Sequence, residues 1–128
     1  MNTKEKGDVA VGLAIAHFVS EGKEVLLPIG DKQKYDLVIE DNGKFFKIQC
    51  KYTSYNAKGK RSYVAPLYVG GGNKSSNRHL HYKTGDFDLF FVATPDGSYL
   101  IPWDVLKRLK KEVALSHKYS EYKLRTAT

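Results

Sequence analysis

A chain of 128 residues that is 41% hydrophobic fits one domain, residues 1–128, with its own core and little room for a second. Its formal net charge of +7 favours an anionic partner, DNA or RNA before a membrane surface, with plain solubility as the bland alternative. The single cysteine, Cys50, excludes an internal disulfide framework and suits a reducing cytoplasm, and no run of about 20 apolar residues offers a membrane span.

Residues 4–21 read as a helix, with Thr3 placed to cap it and Gly22 placed to stop it. Val9, Val11, Leu13, Ile15, Phe18 and Val19 leave it little polar face, so burial on most sides is expected, one of them against another subunit. With His17 inside it and folded-looking sequence after it, this stretch does not read as a signal peptide. A first strand follows at Glu24 to Pro28, ended by the proline and Gly30. Two longer strands come next, Tyr35 to Glu40 and Lys44 to Tyr52. Asn42-Gly43 between them is the strongest short hairpin signal a sequence can carry. A strand is expected near Ser62 to Val69. Residues 54–61 and 70–85, rich in Gly, Asn, Ser, Lys and Arg, read as basic loops or arms. Phe87 to Thr94 and Ser98 to Trp103 form a second strand pair around Pro95-Asp96-Gly97. Asp104 stands as a cap for a helix through Leu109, and the last dozen residues carry no clear pattern. Helix, hairpin-rich sheet, helix implies an α/β or α+β sandwich with a mixed central sheet flanked by helices.

The hairpin carries the chemistry. With Asn42-Gly43 as a two-residue turn, Asp41 pairs with Lys44, and counting back puts Asp36 opposite Gln49. Alternation then gives Gln49 and Lys51 one face with Asp36, and gives Leu37, Ile39, Phe46, Ile48 and Cys50 the other, a core face. A carboxylate, an amide oxygen and the main-chain carbonyl of Cys50 are hard donors that suit Mg²⁺ or Mn²⁺. Such a metal would polarise a scissile phosphate, and Lys51 would orient a water or offset charge on that phosphate. An exposed polar strand face joined by a cross-strand hydrogen bond is the other reading of the same triplet.

Tyr35-Asp36, a hairpin and then Gln49-Cys50-Lys51 resemble the PD-(D/E)xK signature of the restriction-endonuclease fold. The chain is more closely similar to the bacterial group I intron homing endonucleases built on that fold. The resemblance covers roughly residues 4 to 105. It rests on Lys6-Gly7-Asp8, the step from Gly22 to Val25, Pro28-x-Gly30-Asp31, Tyr35-Asp36-Leu37, Gln49-x-Lys51, Asp86-Phe87-Asp88 and Tyr99-Leu100-Ile101-Pro102. It implies a restriction-endonuclease-like core and a divalent-metal-dependent endonuclease acting on double-stranded DNA. It also implies that Asp36 binds metal, that Gln49 replaces the usual acidic ligand and that Lys51 is the catalytic lysine. Two positions depart from the pattern. Tyr35 stands in place of the motif proline, and Val11 stands where the family has a helix glutamate; Asp8, one turn earlier, is a candidate substitute.

Lys58, Lys60 and Arg61, and then Lys74, Arg78, His81 and Lys83, are the candidate DNA-contacting residues; a solvated loop is their plain alternative. Gly70-Gly71-Gly72 lacks the Gly-Lys-Ser/Thr pattern of a P-loop, and His79-x-His81 has no partner pair for zinc. Cys50 faces the core and reads as packing rather than as a nucleophile, and Trp103 as core or interface. A domain this size covers few base pairs, so a long specific site requires a homodimer or homotetramer. Two rivals stand beside the homing reading. One is a Holliday-junction-type nuclease, which would carry an acidic residue in place of Gln49 and the helix glutamate. The other is a DNA-binding module with a decayed site, toward which Val11 and Gln49 point.

Overall fold

The computed structural model describes residues 1–56, 61–69 and 80–125. The chain opens with α1 (Thr3–Ser20). Its cap is Asn2 rather than Thr3. The Asn2 side chain accepts the Glu5 N–H at 2.8 Å, and the Glu5 carboxylate accepts the Asn2 N–H at 3.3 Å. That reciprocal box needs a glutamate three residues past the cap, and Glu5 satisfies it for Asn2 and not for Thr3. At the other end Gly22 takes φ 76° and lets the chain turn back toward the sheet.

The strands are β1 (Glu24–Leu26), β2 (Leu37–Asp41), β3 (Lys44–Tyr52), β4 (Val64–Pro66), β5 (Tyr68–Val69), β6 (Leu80–His81), β7 (Leu89–Thr94), β8 (Gly97–Pro102) and β9 (Glu112–Ala114). A short helix α2 (Trp103–Leu106) follows β8, and a 3₁₀ turn (His117–Tyr122) follows β9. Five strands form the central sheet in the order β1-β2-β3-β7-β8. β3 runs antiparallel to β2 and parallel to β7, so the sheet is mixed, as the sequence implied. The pairs β4-β9 and β5-β6 form two small separate sheets.

Packing explains the local patterns. Ala10, Ala14 and Phe18, one turn apart, set α1 against Leu37, Ile39, Ile48, Cys50, Phe91 and Ala93 on one face of the sheet. On the other face Phe90, Val92 and Ile101 pack with Phe87, Leu67, Leu106 and Val113. β7 is buried from both sides, which is why Leu89 to Ala93 is an unbroken apolar run rather than an alternating one.

Four expectations change. Burial of α1 on most sides is not met within the chain: the sheet covers one side, and Leu13 and Val19 stay 44% and 58% exposed. The strand near residues 62–69 divides at Leu67. There the Leu67 N–H turns to the carbonyl of Lys111, while its own carbonyl takes the Tyr82 N–H. β1 stops at Leu26, two residues short of the proline. Finally α2 spans a single turn; its start is set by Pro102, and Asp104 pairs with Lys107 at 3.2 Å instead of capping. Prolonging α2 would stack Lys107, Arg108, Lys110 and Lys111 at helical spacing, where like charges repel. Among the described residues no helix is long and apolar enough to cross a membrane.

The β2–β3 hairpin closes through Asn42 at φ 54° and Gly43 at φ 84°, the positive pair that a two-residue turn of type I′ demands. Nothing lies within 4 Å of the space a Cβ on Gly43 would fill, so a substitution there meets backbone strain alone. Gly43→Ala is therefore expected to cost about 1–2 kcal/mol, read from urea unfolding. A variant as stable as the parent would show that the turn does not hold the register.

Candidate active site

The hairpin delivers the three motif residues to one place. Pairing runs from Asp41↔Lys44 back to Leu37↔Ile48, the register set by the turn. Asp36 comes next, and there the chain leaves the sheet. Its N–H donates to the carbonyl of Ile48 at 2.8 Å, not to that of Gln49, the residue the register sets opposite. Its carboxylate turns inward and accepts the Cys50 N–H at 2.9 Å. Asp36 thus sits where β2 peels away from β3, tied by side chain as well as main chain. Leu37, Ile39, Ile48 and Cys50 are buried beneath α1 on the predicted core face, and Phe46 is half-buried there.

A cavity of about 330 Å³ opens at this point. Asp36, Gln49, Cys50, Lys51 and Tyr52 line it from the sheet, and Thr3, Lys6, Gly7, Asp8 and Val11 from the first turns of α1. The sequence expected Asp36, Gln49 and Lys51 together; they do meet at this cavity.

Asp36 and Lys51 are each held in a partly dry setting. Burial raises the Asp36 pKa above the usual carboxylate value, and the Cys50 N–H and the Lys51 charge pull it part of the way back. Burial lowers the Lys51 pKa, and the Asp36 charge opposes that shift. Lys51 Nζ lies 3.5 Å from the main-chain oxygen of Tyr68 and 5.5 Å from the centre of the Tyr82 ring. The Gln49 amide nitrogen lies 3.5 Å from the Cys50 carbonyl, the long limit of a hydrogen bond. The Cys50 thiol is pushed far up by burial and by Asp36, so it stays protonated and serves as packing.

Val11 is half-buried and brings a methyl surface to the cavity wall, while Asp8 is exposed at its rim. Among the described residues no three His, Cys, Asp or Glu side chains gather as a metal cluster. The donor set at the cavity is therefore one inner carboxylate, one amide oxygen and one main-chain carbonyl. These hard oxygen donors fit a Mg²⁺ or Mn²⁺ ion that keeps part of its water shell.

Of the candidate DNA-contacting residues, Arg61, His81 and Lys83 are exposed. Lys58, Lys60, Lys74 and Arg78 lie outside the described residues, as does His79 of the rejected zinc pair. Trp103 is half-buried against Phe87 and donates its indole N–H to Thr84 at 3.0 Å, so it belongs to the core margin. Sequence reasoning missed Tyr68 and Tyr82 at Lys51. They reach it through pairing between distant segments, for which no local pattern exists. Lys6 on the cavity wall was legible only as part of the α1 opening.

Asp36→Asn and Asp36→Ala both remove the charge, but only asparagine keeps an oxygen for the Cys50 N–H. In the metal-free protein the alanine variant is expected to be less stable than the asparagine variant by about 1–3 kcal/mol in urea unfolding. Equal stability would mean that this hydrogen bond does not anchor the start of β2.

Comparison with known proteins gives the same picture. A family model described as PD-(D/E)XK endonuclease matches residues 1–126. Protein 5.3 of Escherichia phage T7 is 30% identical over 108 residues, which cover 84% of this chain and 86% of that protein. The solved structure of a bacterial homing endonuclease, I-Ssp6803I, matches with a TM-score of 0.83 at 27% identity, covering 96% of this chain and 89% of that one. A mixed five-stranded sheet, a hairpin bearing Asp36 and Gln49-x-Lys51, and a family match spanning nearly the whole sequence make this chain a member of the PD-(D/E)XK endonuclease family.

Proposed function

We propose that this chain hydrolyses phosphodiester bonds of double-stranded DNA with a divalent metal, Mg²⁺ or Mn²⁺, as a sequence-specific intron homing endonuclease. The observation that carries the reading is the meeting of Asp36, Gln49 and Lys51 at one open cavity beside α1. The likeness to I-Ssp6803I supports the homing role. Asp36, Gln49 and the Cys50 carbonyl would hold the ion, which when bound supplies Lewis acidity beside the scissile phosphate. Asp36 is already fixed for this task by the Cys50 N–H. The Lys51 ammonium orients the attacking water or offsets the charge that builds on the phosphate. Arg61, His81 and Lys83, with Lys58, Lys60, Lys74 and Arg78, supply phosphate and base-edge contacts.

Lys51→Ala and Asp36→Ala are each expected to abolish cleavage while DNA affinity stays within about tenfold, because phosphate contacts elsewhere supply most of the binding. The measurement is cleavage of a plasmid library with Mg²⁺ or Mn²⁺ and sequencing of the ends. Turnover by the parent in chelator would refute the metal mechanism. Val11 favours a second reading, a DNA-binding module with a decayed site. Specific binding without cleavage at any metal concentration would select that reading.

The chain is further proposed to act as a homodimer or homotetramer, since one site cuts one strand and one domain covers few base pairs. The exposed Leu13 and Val19 on α1 support an interface there. Light scattering at micromolar concentration is expected to give a multiple of the 14.5 kDa chain mass. A strict monomer, with and without DNA, would move the function toward nicking.

A further inference from the structure

We propose that Tyr82 is a positioning residue for Lys51, its ring holding the ammonium in place beside Asp36. This rests on the reading of Lys51 as the lysine that meets the scissile phosphate. A lysine is a poor instrument for that task when free, because its long side chain samples many rotamers, and a misplacement of about 1 Å can cost about a hundredfold in rate. Something must hold the group. In this chain the salt bridges among described residues join Lys23 to Asp41 and Lys107 to Asp104, so none clamps Lys51. Its ammonium instead lies over the face of Tyr82, with the Tyr68 main-chain oxygen as its second neighbour. An aromatic face attracts a cation through its quadrupole, and the attraction grows where water is excluded.

The ring itself is fixed from behind. Tyr82 is 7% exposed and packs edge to face with Phe87 at 5.0 Å and 81°. Phe87 in turn stacks on Phe90 at 5.5 Å and meets Trp103 at 5.2 Å. The Tyr82 N–H is bonded to Leu67, which joins β4 to β5. The orientation of the ring is therefore set by the core, and the core reaches Lys51 through it. The hydroxyl is not part of the clamp. Among the described residues it is buried with no hydrogen-bond partner, and such a group ordinarily destabilises a fold. Phenylalanine would keep the clamping face and remove that burden.

Two measurements on the full chain test the assignment. The first is NMR of the lysine side chains in protein labelled with ¹³C-lysine, with Lys51 assigned by its loss in Lys51→Arg. Its ε-methylene protons are expected upfield in the parent and in Tyr82→Phe, and at the ordinary lysine position in Tyr82→Leu. The second is DNA cleavage. Tyr82→Leu is expected to lower kcat at least about tenfold with KM within about twofold, and Tyr82→Phe to stay near the parent in both while matching or exceeding it in Tm. Should the leucine variant fail to fold, Tyr82→Met takes its place. An unshifted Lys51 resonance in the parent overturns the proposal. So does a leucine variant that cleaves at the parent rate, or a phenylalanine variant that loses as much as leucine. If the parent cleaves no DNA with either metal, the nuclease reading falls by itself, and the NMR series still decides whether Tyr82 holds Lys51.

Discussion

The register of the β2–β3 hairpin governs the rest of the molecule. Side chains alternate along a strand, so a slip of one residue would turn Leu37, Ile48 and Cys50 out from under α1 and send Gln49 and Lys51 in. Two constraints forbid the slip. The Asn42-Gly43 turn sets the pairing from one side, with positive φ at both residues. From the other side β3 is held parallel to β7, Ile48↔Leu89 through Tyr52↔Ala93, and β7 is packed on both faces. The hydrophobic demand on one face and the chemistry on the other are thus fixed by one decision. The cavity inherits its precision from the core.

Against this rigid background the site carries charge at a cost. Burial opposes ionisation of Asp36 and of Lys51, and each is partly relieved by the other. The signs differ with pH. Asp36 has a raised folded-state pKa, so its ionisation weakens folding, and that loss sets in as pH rises through the window between its ordinary and raised values. Lys51 has a lowered one, so its charge weakens folding below that lowered value, and the penalty is relieved as pH rises through it toward the ordinary one. Wherever both are charged, both weaken the fold, offset by their attraction and by the Cys50 N–H. Groups kept charged in a poorly solvated place, where neither helps the fold, are what a site built for an anionic substrate and a cation would show.

Most of the central architecture was legible because it is local. A turn of two residues, strict alternation beside it and an apolar run for a doubly buried strand are statements about neighbours in sequence. The failures were of two kinds. Asn2 displaced Thr3 as cap because the reciprocal partner, Glu5, decides the position, and the weaker rule of any hydroxyl before a helix missed it. The division of residues 62–69 between β9 and β6, the strand at Glu112–Ala114, and the meeting of Lys51 with Tyr82 all depend on segments far apart in the chain. No periodicity announces such pairings.

Val11 bears on how many ions such a cavity can serve. The acidic and basic side chains on its wall are Asp36 and Asp8 against Lys51 and Lys6, a formal balance of zero. A family glutamate at position 11 would add a carboxylate to the same cavity as Asp36 and tip that balance toward cations. With a valine there, the wall offers methyl groups where a second ion would need oxygen, while Lys6 already brings a positive charge to the same wall of the cavity. Two divalent ions bring four positive charges into a small space, and they need several carboxylates to hold them. One inner carboxylate, an amide and a carbonyl are matched to a single hydrated ion. On the proposed reading the lysines would then carry more of the work of neutralising phosphate, and the placement of the Lys51 ammonium, and whatever fixes it, would weigh more heavily than in a site with two metals.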